Sequence, residues 1–287
     1  MNPAEFAYQR PEDLQGAIAL LEEHGETAKL IAGGHSLLPI MKLRLAEPEL
    51  LIDISRVAEL QGVREDNGVL TIGALSTHHQ VATDPIVMRA APLLAATAGH
   101  VGDRQVRNRG TIGGALAHAD PASDYPAAIL ALEAVILARG PQGERRIPAS
   151  EFFLDFLTTA LDPSEIITAV EIPVSPLGWS YQKLANQASG YAIVGVAAMI
   201  SLDPGGAVAD IRIGVTGTAS VPWRAASSEA ALRGQQLEEA LVASAANRAD
   251  EGIDPLDDLH GSAEYRRRVT RGLARRAILE AAQRAQM

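Results

Sequence analysis

Two glycine pairs carry the strongest chemical suggestion in this chain. They are Ala32-Gly33-Gly34-His35-Ser36 and, about eighty residues later, Thr111-Ile112-Gly113-Gly114-Ala115. Successive glycines let backbone N–H groups approach a diphosphate with no Cβ in the way, and a helix starting just after them adds partial positive charge. Ser36 adds a hydroxyl that can donate to a phosphate oxygen. Taken singly, each pair reads at least as well as a tight turn. Asp120 and Asp124 read either as an acid–base or metal pair, or as a turn aspartate followed by the N-cap of a helix. The seven histidines hold no metal-ligand spacing, and the adjacent His78 and His79 would point apart on any regular element. Ser36 with His35, or Ser123 with His118, would suit a hydrolase only with a G-x-S-x-G elbow, which the chain lacks. It also lacks G-x-G-x-x-G and a P-loop, so Rossmann and Walker sites are excluded.

Composition narrows the chemistry further. The 287 residues are 47% hydrophobic and 21% charged, the balance of a folded protein. With no cysteine, the chain holds no disulfide, no thiolate zinc and no iron–sulfur cluster of its own. A net charge of −10 argues against nucleic acid as a partner. No apolar run reaches membrane-span length, and the first residues do not resemble a secretory signal. The expectation is a cytoplasmic protein that meets the inner face of a membrane only through a complex.

Hydrophobic periodicity supplies the elements that must position these residues. Helical spacing covers residues 11–24, with Leu14, Ala17, Ile18 and Leu21 apolar, and again the segment carrying Leu37, Leu38, Met41 and Leu45. Short strands are expected at 30–32 and 50–54, which puts the first glycine pair at a strand-to-helix junction. A strand at 69–72, helices at 85–99 and 126–132, a glycine-rich turn at 110–114, and strands at 134–138 and 166–172 follow. Residues 173–178 have the proline and glycine content of a linker. Beyond it lie three antiparallel strands at 180–184, 192–202 and 209–215, then helices at 222–232, 237–249 and 263–286. On the last helix Tyr265, Val269, Leu273, Ala277 and Ala281 are expected to be buried. Its arginines at 266, 267, 268, 271, 275 and 276 are read as a solvated face, with subunit docking as the alternative. The division is residues 1–176, in subdomains of about 1–56 and 57–176, followed by 177–287.

The segments AGGHSLLP (32–39), RNRGTIGGALAHADPASDYPA (107–127) and FFLDFLTTALDPSEIITAVEIP (152–173) together resemble the flavin-binding subunits of the molybdenum hydroxylases. The resemblance spans nearly the whole chain. It is greatest to the medium chains of aerobic carbon monoxide dehydrogenases, with the FAD domain of xanthine dehydrogenase a more distant relative. It implies an α+β fold: a two-part FAD-binding domain of the vanillyl-alcohol-oxidase/PCMH type, then a domain with a three-stranded antiparallel sheet and a three-helix bundle. It implies noncovalent FAD, its diphosphate held by Ala32, Gly33, Gly34, His35 and Ser36 and by Thr111, Ile112, Gly113, Gly114 and Ala115. Family members often carry Asn at the position of Ala115. Asp124 is then a ligand of ribityl or ribose hydroxyls as well as a cap, and Leu161 touches the flavin region. Lys183 matches a lysine near the isoalloxazine, and Tyr191 an aromatic beside the ring. Where the carbon monoxide branch has a basic stretch, this chain has Lys183-Leu184-Ala185-Asn186-Gln187-Ala188-Ser189-Gly190. The implied role is electron transfer, with no catalytic residue here. A small subunit with 2Fe–2S clusters and a large subunit with the molybdopterin cofactor would complete a dimer of heterotrimers. Electrons would leave to an acceptor such as a quinone or oxygen. Carbon monoxide is the first substrate expected, with an N-heterocycle, an aldehyde or xanthine next. A self-sufficient FAD oxidoreductase and a scaffold without cofactor are the readings from other classes.

Overall fold

A computed structural model describes residues 2–286; Met1 and Met287, the outer ends of the expected division, lie outside the described residues. The helix Leu14–His24 buries the expected stripe of Leu14, Ala17, Ile18 and Leu21, is capped by Asp13, and ends at Gly25 with φ of 55°. It covers a three-stranded parallel sheet with Leu50–Asp53 in the centre, Ala28–Ile31 on one side and Ala7–Gln9 on the other. The chain leaves the strand Ala28–Ile31 into the first glycine pair and enters the helix Leu37–Lys42.

A five-stranded antiparallel sheet follows, ordered Val63–Asp66, Val69–Gly73, Ile166–Pro173, Val135–Gly140 and Gly143–Pro148. Its two outer strands, and Ala7–Gln9, are absent from the sequence reading. They are edge strands with largely solvent-facing side chains, so little hydrophobic alternation marks them. The helix expected at 85–99 is two helices, Pro85–Ala90 and Pro92–His100, because Pro92 drives Ala91 out of the helical region, to φ −141° and ψ 64°. The glycine-rich turn expected at 110–114 is instead the start of the helix Ile112–His118, with Thr111 as its N-cap.

The second half is built on the strands Gly178–Ala185, Ala192–Leu202 and Val208–Thr216. A short fourth strand, Trp223–Arg224, takes the place of the first residues of an expected helix, which begins only at Ala226. The long helix Ala263–Ala285 covers one face of this sheet, and the helix Tyr125–Ala131 of the first half covers the other. Approach on the second face is close: a Cβ on Gly214 would lie 2.0 Å from the Ala127 carbonyl oxygen. The apolar core of the five-stranded sheet runs on into Tyr181, Ala197 and Met199 of the second.

The buried face of the last helix is Arg266, Thr270, Leu273, Ala274, Ala277, Ile278, Ala281 and Ala282. The expected stripe fails at its start: Tyr265 is exposed and Arg266 buried. A repeat of four drifts against 3.6 residues per turn, so it cannot stay on one face over all four steps. The arginines are not simply a solvated face either. Arg267 and Arg271 both hold the buried Asp250, while Arg266 binds Asp258 and the carbonyl oxygens of Ile193 and Gly217.

Candidate functional site

The two glycine segments meet. A Cβ on Gly33 would lie 2.1 Å from the carbonyl oxygen of Arg109 and 2.8 Å from Cα of Gly110, so only glycine lets the first segment rest on the approach to the second. Between them runs a cleft of about 870 Å³, within the range of small-molecule and cofactor sites. Ala32, Gly33, Gly34, His35 and Ser36 line it, as do Thr111, Gly113, Gly114 and Ala115. Asp124, Leu161 and Tyr191 line it too, whereas Ile112 and Lys183 do not.

The two segments differ in what they offer. Among the described residues, the N–H groups of Gly33, Gly34, His35 and Ser36 donate to no group of the chain, and Gly34 turns the backbone through φ of 75°. Ser36 caps no helical N–H with its side chain, so its hydroxyl is uncommitted there. Because the helix Leu37–Lys42 has only six residues, these turn amides, and not a helix dipole, are what could hold an anion here. In the second segment the amides after Thr111 are committed. Ile112 donates to Ser76 O at 3.0 Å, Gly113 to Ala74 O at 2.9 Å, Gly114 to Thr111 Oγ1 at 3.1 Å and Ala115 to Thr111 O at 3.0 Å. Of the amides of Thr111–Ala115, only that of Thr111 donates to no group of the chain among the described residues. The segment contributes a smooth wall and the Thr111 hydroxyl, and the fully buried Ile112 anchors it from behind.

Asp124 sits at the junction of the two halves. The segment before it is pinned by the second sheet: Thr216 Oγ1 donates to Pro121 O and Ser123 O, and Gly217 N to Pro121 O. Asp124 makes no side-chain cap, contrary to expectation. Its Oδ1 accepts from Tyr181 Oη at 2.6 Å and its Oδ2 from Lys183 Nζ at 2.8 Å. Lys183 also donates to His100 O at 2.9 Å and its side chain is 3% exposed, so the ammonium stands behind Asp124 and reaches the cleft through that carboxylate. Burial pushes the Asp124 carboxyl up, against the pull of the Lys183 charge and the Tyr181 hydroxyl. Asp120 is a turn residue, its Oδ1 accepting from Ala122 N. Tyr191, 46% exposed, stands at the rim, where burial and then the Asp120 charge raise its phenol.

Two participants escaped the sequence reading. Tyr181, the hydroxyl partner of Asp124, lies in a strand with no motif to mark it. His78 lines the cleft from below Gly110, its Nδ1 3.0 Å from Tyr125 Oη, while His79 beside it is exposed, as adjacency predicts. Burial foremost, then the charges of His35 and Arg107, lowers His78 to about 4. Among the described residues no group of three or more His, Cys, Asp and Glu could hold a metal, and no helix is long and apolar enough to cross a membrane.

Known proteins share this design. Residues 4–175 match the family model of the FAD binding domain in molybdopterin dehydrogenase, and 179–281 that of the CO dehydrogenase flavoprotein C-terminal domain. The chain is 40% identical over 280 residues to the carbon monoxide dehydrogenase medium chain of Hydrogenophaga pseudoflava, covering 97% of each. It is 39% identical to the glyceraldehyde dehydrogenase medium chain of Sulfolobus acidocaldarius, covering 98% of this chain and 100% of the relative. Its structure matches the solved carbon monoxide dehydrogenase from H. pseudoflava lacking the Mo-pyranopterin moiety. That match has a TM-score of 0.96 and 42% identity over 99% of both chains. The uncommitted amides of the first glycine turn, the cleft they border and these matches over nearly its whole length place this chain in the family of FAD-binding flavoprotein subunits of the molybdenum hydroxylases.

Proposed function

We propose that the chain is the electron-transfer subunit of a heterotrimeric molybdenum hydroxylase. The observation that carries this reading is the row of uncommitted amides from Gly33 to Ser36 beside a cleft of cofactor size. Those four N–H groups, with the Ser36 hydroxyl, suit the negative oxygens of a diphosphate. Thr111, Gly113, Gly114 and Ala115 face them as a wall without bulk, held in place by Ile112. Asp124, an acceptor when ionised, suits sugar hydroxyls, and the Lys183 charge favours that form against the burial that raises the carboxyl. Leu161 and Tyr191 offer apolar and aromatic surface, Tyr191 by stacking. Bound FAD supplies an isoalloxazine that accepts and returns electrons. The residues around it bind, orient and exclude water, and none acts as acid or base.

Without cysteines the chain depends on partners. In this reading a small subunit brings 2Fe–2S clusters, a large one carries the molybdopterin cofactor and oxidises the substrate, and the assembly is a dimer of heterotrimers. The electron acceptor is a quinone or oxygen, and the complex is cytoplasmic. Carbon monoxide is the first-choice substrate, given the medium chain 40% identical to this one, and aldehydes come next through the glyceraldehyde dehydrogenase relative. The break near residue 176 is proposed as the domain boundary.

The test is an absorbance spectrum of the purified chain, with the cofactor released by heat and identified. FAD freed without proteolysis supports the reading. A chain that stays colourless when co-purified with its partners and supplied with FAD refutes it.

A further inference from the structure

We propose that His78 is a cofactor-contacting residue, a neutral imidazole whose Nε2–H donates into the cleft to an acceptor oxygen of the diphosphate. The proposal rests on the FAD reading above. The side chain is 5% exposed yet lines the cleft. One edge of the ring is committed, since Nδ1 lies 3.0 Å from Tyr125 Oη. Tyr125 is fully buried, and among the described residues its hydroxyl has no other partner. The phenol proton must therefore go to Nδ1, or a buried donor would be left unmade. With Nδ1 accepting, a neutral imidazole carries its proton on Nε2.

That nitrogen is the uncommitted one. It forms no hydrogen bond with the chain, yet among the described residues no buried side-chain nitrogen or oxygen lacks a partner. Nε2 thus opens onto accessible space, and the space beside it is the cleft. Its surroundings indicate which group it meets. The Nε2–Cδ2 edge runs along Gly110, at the entry to the second glycine segment, and His78 N donates to Gly110 O at 2.9 Å. His35 of the first glycine turn and Arg107 of the helix Arg104–Arg107 are the titratable or charged groups that act on the ring, with Tyr125 on its inner side. A donor at the entry to the second glycine segment, in the cleft that the first also lines, adds to what the second segment gives, because its amides from Ile112 to Ala115 are already bonded.

Holding His78 neutral keeps Nδ1 free to accept from Tyr125.

The experiment uses the full chain, or the complex if the isolated chain takes up no FAD, as parent, His78→Phe, His78→Gln and Tyr125→Phe. Histidine-selective 15N NMR of the apo chain reads the tautomer, with His78→Gln assigning the resonance. An Nε2–H tautomer is expected in the parent. FAD titrations should then give a five- to twentyfold loss of affinity for His78→Phe with a changed 31P spectrum of the bound diphosphate. His78→Gln, which keeps an N–H donor at similar reach, should stay within about threefold of the parent. An Nδ1–H tautomer overturns the proposal. So does a folded His78→Phe with parental affinity and 31P spectrum, or equal losses in His78→Phe and His78→Gln. A parent that shows the Nε2–H tautomer but binds no FAD refutes the FAD reading instead.

Discussion

Gly33→Ala is the sharpest test of how the two glycine segments cooperate. Gly33 does not lie in the left-handed region, so alanine can adopt its backbone angles and the whole effect comes from one added methyl group. That Cβ would start 2.1 Å from Arg109 O and 2.7 Å from Arg109 C, where real Cβ contacts do not fall below 3.0 Å. The segments must therefore part by at least about 0.9 Å. The Arg109 carbonyl cannot yield cheaply, because Arg109 N and Gly110 N both bond Val106 O, and His78 N holds Gly110 O. Overpacking of this kind costs about 1–3 kcal/mol of stability. The larger effect falls on the amides. A shift near 1 Å takes a hydrogen bond out of range, and each bond to a charged oxygen contributes about 1.5–3 kcal/mol. Losing two of the four weakens FAD binding by roughly 3–6 kcal/mol, or two to four orders of magnitude in Kd. Flavin fluorescence titration gives the affinity, and thermal melting gives the stability. Gly272→Ala is the control: it lies exposed in the last helix with nothing near its added Cβ, so it should gain about 0.5–1 kcal/mol and leave FAD untouched. If Gly33→Ala keeps parental affinity within threefold at an unchanged melting temperature, the packing argument is wrong.

Gly113→Val should abolish FAD retention while the C-terminal sheet and helix stay folded, since its Cβ would start 2.6 Å from Ala74 Cβ; flavin content and limited proteolysis check both halves. Lys183→Met strands the Asp124 carboxylate, only 4% exposed, and should cost about 3–5 kcal/mol in urea unfolding. Adding Asp124→Asn to it should restore most of the stability but not the FAD affinity. His78 predicts an acid weakness. Its folded value, about 4, lies below the ordinary 6.5, so the stability it lends is full above pH 6.5 and lost as pH falls to 4. That loss is about 3 kcal/mol by melting against pH, and His78→Gln should remove it. Asp53 behaves likewise at lower pH: burial raises it, but Ser55, Tyr8 and Arg10 outweigh that and hold it at about 2. Its share of stability is complete above pH 3.8 and lost toward 2, and Asp53→Asn should flatten that part of the melting curve.

The sequence by itself determined the family, the two glycine segments and the elements with strong hydrophobic periodicity. The helix Leu14–His24 was legible because one face is apolar at its own period, and the strands Ala192–Leu202 and Val208–Thr216 because they are apolar runs joined by a tight turn. Edge strands such as Val63–Asp66 were not, because a strand bonded on one side and wet on the other needs no such pattern. Only the tertiary structure decided which glycine segment has amides to give. Ile112 and Gly113 spend theirs on Ser76 and Ala74, partners nearly forty residues away that no spacing announces. Likewise Lys183 by itself reads as an ordinary strand lysine, and only the fold pairs it with Asp124, fifty-nine residues distant. His78 became a candidate only once Tyr125 was brought against one side of its ring and the cleft against the other. Residue type and local period fix what a group can do. Where its hydrogen bonds go depends on burial and long-range contact, and these exist only when the chain has folded.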